Sequence, residues 1–251
     1  MDEYQNRHVA FLDILGFSDL IQKSITCQAT FEKILDITKG LATAGNEIAT
    51  TYGWQVDAQD IVCTAFSDSI VISVPEGSRI GSLYSLAFAV IGLCRKLLVD
   101  VGVAARGGIA TGPAYHRDGI VFGPSYIAAY KLESQTAKMA RIVVDAAMAQ
   151  RWTEGFGNQG GLLALKDVIR QDRDGASILD IFHFPARDSI DKSTADFFRR
   201  AGPAISGLMA EEGLDAGALS QLMWLATHYN QSSMRGRLNL PAISGWCMPM
   251  D

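Results

Sequence analysis

The chain has 251 residues, 48% hydrophobic and 20% charged, with 22 Lys and Arg against 27 Asp and Glu for a formal net charge of −5. That apolar share excludes a disordered chain, and the length allows one sizeable domain, or a domain with an appendage, around a substantial core. The acidic balance excludes a protein that coats nucleic acid through a broad basic face, though not one with a small phosphate-binding pocket.

Before the first apolar run, Met1-Asp2-Glu3-Tyr4-Gln5 is acidic and polar and lacks the apolar segment of a signal peptide. The run His8-Val9-Ala10-Phe11-Leu12-Asp13 then reads as a central strand ending on a carboxylate. Ile14-Leu15-Gly16-Phe17-Ser18 follows as a turn, where Gly16 lets the backbone approach a ligand. Apolar positions Phe31, Ile34, Leu35, Ile37, Leu41 and Ile48 recur at helical spacing and predict a long amphipathic helix. The β-rich runs Ile61 to Phe66 and Ile70 to Val74, separated only by Ser67-Asp68-Ser69, predict a hairpin with Asp68 at its tip.

A helix is expected from Arg79 to Val101. Its uncharged stretch from Ile80 to Cys94 is 15 residues long, short of a bilayer span, and reads as a buried core helix. A strand over Ala104 to Thr111 leads into a Gly/Pro/His-rich connection from Gly112 to Gly119, then a short helix from about Ser125 to Ser134 and a buried strand over Arg141 to Asp145. A glycine-rich loop spans Gly155 to Gly161, and segments around Asp167 to Ile169 and Ile178 to Phe184 predict a closing hairpin through Asp172 to Gly175. Beyond Pro185 the pattern becomes two helices broken near Gly213, from Ser189 to about Tyr229, with a Gly/Pro-containing tail. The mixture predicts an α+β fold rather than a strict βαβ succession.

Asp13 and Asp68 each end or tip a strand of apolar residues. If the first strand pairs beside the hairpin, the two like charges meet at one end of the sheet, an arrangement that a divalent cation would neutralise. The plainer reading makes both solvated turn residues.

Four segments in chain order carry a resemblance. Phe11-Leu12-Asp13-Ile14-Leu15-Gly16-Phe17-Ser18 is similar to the F-x-D-I-x-G-F-[ST] element of class III nucleotidyl cyclases, the adenylate and guanylate cyclase superfamily. Phe66-Ser67-Asp68-Ser69 lies where that family has its G-D hairpin, with Ser67 in place of Gly. Arg106-Gly107-Gly108-Ile109-Ala110-Thr111-Gly112-Pro113 is similar to its R-x-G-I-x-x-G strand, and Val121-Phe122-Gly123 with Ala128-Ala129-Tyr130-Lys131-Leu132 occupies its W-G…A-x-R-[LM] region. The resemblance implies a ferredoxin-like palm with a central, mostly antiparallel sheet flanked by helices over residues 7–184, and a helical C-terminal extension over 185–251.

It further implies two Mg²⁺ or Mn²⁺ ions held by Asp13, Asp68 and the Ile14 carbonyl, for in-line attack of a ribose 3′-hydroxyl on an α-phosphorus. Backbone N–H groups of Gly16, Phe17 and Ser18 would receive phosphates, at a turn entering a helix. Arg106 would contact the triphosphate, and Lys131, in place of the family's arginine, the α-phosphate; a lysine brings the charge without the bidentate fork. For Arg106 the competing reading is a surface ion pair, and for Lys131 a solvated helix position.

The departures concern the base. Thr64 stands where purine cyclases place Lys or Glu, Ile120 where they place Asp or Cys, and Ile127 where an Asn is expected. Among class III relatives the chain looks most like the bacterial pyrimidine cyclases of Pycsar-type anti-phage systems. This implies UTP or CTP as substrate, UTP favoured, cyclic UMP or cyclic CMP as a defence messenger, and a separate effector that senses it. It also implies a homodimer with active sites between protomers, Lys131 reaching across, and a C-terminal stripe of Leu219, Leu222, Met223, Leu225 and Ala226 that either packs the core or steadies the dimer. A purine cyclase, or an inactive cyclase-like binding module, stays open as an alternative.

Other signals are weaker. Gly155-Phe156-Gly157-Asn158-Gln159-Gly160 matches G-x-G-x-x-G but lacks the strand-before, helix-after context of a dinucleotide site. His116 reads as a solvated loop histidine. Cys27, Cys63, Cys94 and Cys247 show no C-x-x-C spacing, which fits a reduced, cytoplasmic setting with no membrane partner.

Overall fold

The computed structural model describes residues 3–52, 61–77, 81–154, 168–183 and 192–243. The chain runs β1 (Gln5–Ile14), α1 (Phe17–Ser24), α2 (Gln28–Tyr52), β2 (Val62–Phe66), β3 (Ser69–Pro75) and α3 (Gly81–Lys96), which ends in a wider π-helical turn (Leu97–Val101). It continues through β4 (Ala105–Arg117), β5 (Ile120–Phe122), α4 (Pro124–Lys131) with a π-helical turn (Leu132–Thr136), β6 (Ile142–Val144), α5 (Ala146–Glu154), β7 (Ile169–Gln171), β8 (Ser177–Leu179), α6 (Lys192–Met209) and α7 (Ala216–Arg235).

The sheet order is β2-β3-β1-β4-β6-β8-β7, with β5 paired to β4. All pairings are antiparallel except β4 with β6. This is the expected α+β architecture with a central, mostly antiparallel sheet flanked by helices.

Strand alternation divides β1 between two faces. Ala10, Leu12 and Ile14 point into the main core with Ile70, Ile72 and Val74 of β3, the buried side of α3, and Met148 and Trp152 of α5. Val9, Phe11 and Asp13 point the other way. There Val9 and Phe11 join Val71, Ala110, Ala114 and Ala129 beneath α4. α3 is the expected buried core helix: Ser82–Val101 is long and apolar enough to cross a membrane, yet two-thirds of it lies inside the fold.

β4 departs from expectation. Gly112 to Gly119 reads as a connection, but the strand runs on to Arg117 and turns through Asp118 and Gly119 into β5. Its outer half pairs with β1 as far as Ala114 opposite Gln5, and Ser125 Oγ donates to the carbonyls of Gly112 and Pro113. Strand pairing on both sides thus overrides the turn propensity of Gly and Pro.

The two C-terminal helices meet at Gly213, whose φ of +83° breaks the helical path. Phe197, Phe198, Leu222, Leu225, Ala226 and Tyr229 pack with Leu98, Ala104 and Phe182. Leu222, Leu225 and Ala226 of the α7 stripe are therefore internal packing and not available to steady a dimer, while Leu219 and Met223 of the same stripe are half-buried and outside that cluster. At the far sheet edge, His228 Nε2 lies 3.1 Å from Asp180 Oδ1, and Trp224 Nε1 donates to Asp172 at 3.0 Å. The glycine loop 155–161, Cys247 and Arg79 lie outside the described residues.

α4 reaches the sheet only because Gly108 has no side chain. A Cβ there would stand 2.2 Å from the Ala129 carbonyl oxygen and 2.6 Å from Leu132 Cβ. Gly108→Ala is therefore expected to cost about 2 kcal/mol or more through overpacking. Gly40→Ala on α2, where a Cβ meets nothing within 4 Å, should be neutral or stabilising by up to about 1 kcal/mol. Urea unfolding midpoints of the two variants check this; equal midpoints would contradict the close approach of α4.

Candidate active site

β1 is the middle strand of three, and its last turn-facing carboxylate is fixed from both sides: Asp13 pairs with Ser69 on β3 and with Arg106 on β4. The hairpin turn Ser67-Asp68 lies beside it, held by Ile14 N–H donating to the Asp68 carbonyl at 3.0 Å. Ser67 takes φ +56°, a left-handed conformation uncommon for serine. Asp13 and Asp68 thus come together at one sheet end, as their strand positions imply.

Arg106 makes two contacts here. Its Nη2 stands 3.4 Å from Asp13 Oδ2, and its Nε donates to Glu133 Oε1 at 2.5 Å. Glu133, in the π-helical turn after α4, is only 3% exposed. It escapes sequence reasoning because its partner is far away in the chain. The available signal was its spacing of four from Ala129, a residue on the sheet-facing side of α4.

The site is electrostatically uneven. Burial pushes the Asp13 carboxyl up to about 6, Glu133 and Asp68 push it in the same direction, and Arg106 opposes them. Two carboxylates at one mouth, both hard oxygen donors, suit a divalent cation such as Mg²⁺ or Mn²⁺. Among the described residues no group of three or more His, Cys, Asp and Glu is arranged to hold a metal ion, so a cation here could draw on only the two aspartates and backbone oxygen.

Beyond Asp13 the chain turns through Gly16, in the left-handed region at φ +74°, into α1. Leu15 N–H donates to the Ala104 carbonyl, while the N–H groups of Gly16, Phe17 and Ser18 have no backbone acceptor among the described residues. α1 also lacks a side-chain cap. These donors, at the positive end of the helix, are free for an anion.

Thr64 lies opposite Val71, and Val71 opposite Phe11, so Thr64 shares the sheet face of Asp13. It bonds His116 at 2.9 Å. His116 is 4% exposed rather than a solvated loop residue, because the extended β4 carries it under this face. Lys131 ends α4, exposed, with no contact to Asp13 or Arg106. One hollow of about 70 Å³ adjoins the Gly16 turn beside Leu15 and Leu222, and another of about 410 Å³ lies away from the site between the β7–β8 hairpin and α7.

No family model and no curated protein matches the chain. Among solved structures, it is similar to the crystal structure of the adenylyl cyclase CyaB from P. aeruginosa, at 18% identity over 71% of this chain and 95% of that one, TM-score 0.48. It is also similar to an adenylate/guanylate cyclase/hydrolase from Silicibacter pomeroyi, at 16% identity over 70% and 95% of the two chains, TM-score 0.42. A bacterial light-regulated adenylyl cyclase matches at 12% identity over 79% and 99%, TM-score 0.41.

The raised Asp13 carboxyl has a consequence for stability. Folded Asp13 keeps its proton up to about pH 6, whereas an unfolded aspartate loses it near pH 4. The folded state therefore binds more protons between these values, and the contribution of Asp13 to stability is lost as pH rises through that window. Asp13→Asn, which cannot ionise, is expected to raise the Tm of the metal-free protein at pH 8 and to change it little at pH 4. Thermal melts at both pH values check this, and a Tm gain of the same size at each would contradict it.

Proposed function

We propose that this protein is a pyrimidine nucleotide cyclase that converts UTP, in preference to CTP, into the 3′,5′-cyclic monophosphate and pyrophosphate. One observation carries the reading: the strand register that brings Asp13, Asp68 and Arg106 together beside a glycine turn with open N–H donors.

Asp13, Asp68 and the Ile14 carbonyl would hold two Mg²⁺ or Mn²⁺ ions, which when bound lower the pKa of the ribose 3′-hydroxyl and neutralise the triphosphate. Gly16, Phe17 and Ser18 bind phosphate oxygens through their N–H groups. Glu133 holds Arg106 by Nε and leaves its terminal nitrogens facing the Asp13 side, where a triphosphate would compete for them. In the reaction a bond forms between the 3′-oxygen and the α-phosphorus, the bond to the departing pyrophosphate oxygen breaks, and the hydroxyl proton passes to solvent.

Lys131 acts on the α-phosphate of the partner protomer's site in a two-fold dimer. The support is its exposure, apart from its own Asp13, beside the exposed apolar side chains of Ile120, Phe122, Ile127 and Tyr130. The cyclic nucleotide serves as a cytoplasmic second messenger in anti-phage defence, read by a separate effector.

Incubation with each of the four nucleoside triphosphates and Mn²⁺ tests the activity, with cyclic UMP the expected main product. Asp13→Ala and Asp68→Ala should each lower turnover by more than about a hundredfold. Mixing Asp13→Ala with Lys131→Ala protomers should restore part of the activity, since a mixed dimer keeps one complete site. Cyclic AMP or cyclic GMP as main product would sink the pyrimidine assignment. Nucleotide binding with no turnover would favour a binding module.

A further inference from the structure

The cavity of about 410 Å³ between the β7–β8 hairpin and α7 lies at the β7 edge of the sheet, away from Asp13. Its volume falls within the roughly 300–1,000 Å³ of small-molecule sites. Four cationic side chains line it, Lys138, Arg141, Arg170 and Arg173, against the two carboxylates of Asp172 and Asp174. Even with the neighbouring Asp180 counted, positive charge is in excess, in a chain whose total is −5.

The acceptors here are already engaged. Asp172 and Asp174 both accept from Arg141, whose side chain is 5% exposed, and Asp172 accepts again from Trp224 Nε1 at 3.0 Å. Asp180 accepts from Arg170 Nη1 and from His228 Nε2, each at 3.1 Å. Burial pushes the Asp180 carboxyl up, but those two partners hold it well below the usual carboxylate range, so it is ionised.

The donors are not all engaged. Arg170 Nε and Nη2, the Lys138 ammonium and the Arg173 guanidinium meet no acceptor among the described residues, and Arg141 Nε is buried without a partner. Beside the cavity, burial and then the charge of Arg170 hold the Arg235 guanidinium below its usual range, with Asp180 opposing less strongly. The cavity therefore lacks acceptors and negative charge, which an anionic ligand would bring. A carboxylate matches one guanidinium fork. A phosphate monoester, a dianion with three terminal oxygens, matches three cations.

The rest of the lining suits a flat, partly apolar body. Met139, Met223 and Trp224 face the cavity, and the half-buried indole is fixed by its bond to Asp172 and by stacking on His228, with 4.9 Å between ring centroids and 15° between planes. An immobilised indole and polarisable thioethers receive an aromatic ring at little cost in order. We infer that this cavity is a ligand site for a phosphate monoester carrying a flat ring, the chemistry of a nucleoside monophosphate, with Arg170, Lys138 and Arg173 on the phosphate and Trp224 beside the ring. Its residues are distinct from Asp13, Asp68 and Arg106, so the site stands whether or not the protein cyclises nucleoside triphosphates.

Titration of the full chain in EDTA with each of the four common nucleoside 5′-monophosphates, and with inorganic phosphate, tests it. Calorimetry reads the affinity, and the Trp224 indole N–H signal in ¹⁵N NMR, assigned with Trp224→Phe, reads the place. At least one monophosphate is expected to bind saturably, to move the Trp224 signal, and to bind about tenfold or more tightly than inorganic phosphate. Lys138→Glu combined with Arg173→Glu, at exposed positions where neither side chain holds a bond among the described residues, is expected to weaken that binding about tenfold or more. No saturable binding by any of the four, binding that leaves the Trp224 signal unmoved, or undiminished affinity in the double variant would each overturn the inference. Inorganic phosphate binding as tightly as the best monophosphate would overturn it too, since the ring would then contribute nothing.

Discussion

The register of β1 between β3 and β4 is the constraint on which the site depends. Asp13 is fixed opposite Ser69 and opposite Arg106 by two separate ladders. Because side chains alternate, a slip of one residue would drive Asp13 into the core and bring Leu12 and Ile14 out to the face beneath α4. The buried alternation of Ala10, Leu12 and Ile14 against Val9 and Phe11 therefore specifies the chemistry as well as the packing. Two backbone bonds just past the ladder, Ile14 N–H to Asp68 O and Leu15 N–H to Ala104 O, extend that order to the hairpin tip and to the entry of β4.

The price of this convergence is electrostatic. Asp13 lies near Asp68 and Glu133 beside the guanidinium of Arg106, and burial first, then the two carboxylates, raise its carboxyl further than Arg106 lowers it. A surface pair of this kind would contribute little. Here Glu133 is buried, so its bond to Arg106 cannot be given up to water at low cost, while the weaker 3.4 Å contact to Asp13 can be exchanged. The asymmetry gives Arg106 a fixed end and an adjustable end. Under the proposed function, a chain of net charge −5 would need cationic help for a polyanion only at this mouth, where the clustered carboxylates would favour a divalent ion.

Features encoded locally were legible in the sequence. Asp13 after an apolar run, Asp68 between two β-rich runs, and Gly16 before a helix each announce their places in the fold within about ten residues. Glu133 and His116 did not, because their significance is a partner elsewhere in the chain: Arg106 lies 27 residues from Glu133, and Ser73 43 residues from His116. His116 was further obscured by Gly112 and Pro113, which signal a turn until the pairing of β1 and β5 with β4 is known. The α7 stripe illustrates a different limit, since helical periodicity gives an apolar face but not whether the same chain or a second one covers it. Here Phe197, Phe198 and Phe182 cover it.

The helices over 192–235 also bear on the site. Their core includes Ala104, the residue whose carbonyl receives Leu15 N–H immediately before the Gly16 turn. The loop between them reaches the outer side of that turn's helices, where Lys23 Nζ donates to the Glu212 carbonyl at 3.3 Å and Lys33 stands 3.8 Å from Glu211. The exposed ion pair contributes little by itself. The apolar contact is different: Leu15 packs at the edge of the C-terminal core rather than the main one, so the residue preceding Gly16 is seated on α6 and α7. An N–H cradle can receive an anion without reorganising only if the backbone on either side of it is held. On one side that support comes from the β1 ladder, and on the other from helices more than 170 residues further along the chain, which makes them part of the wall of the Gly16 turn.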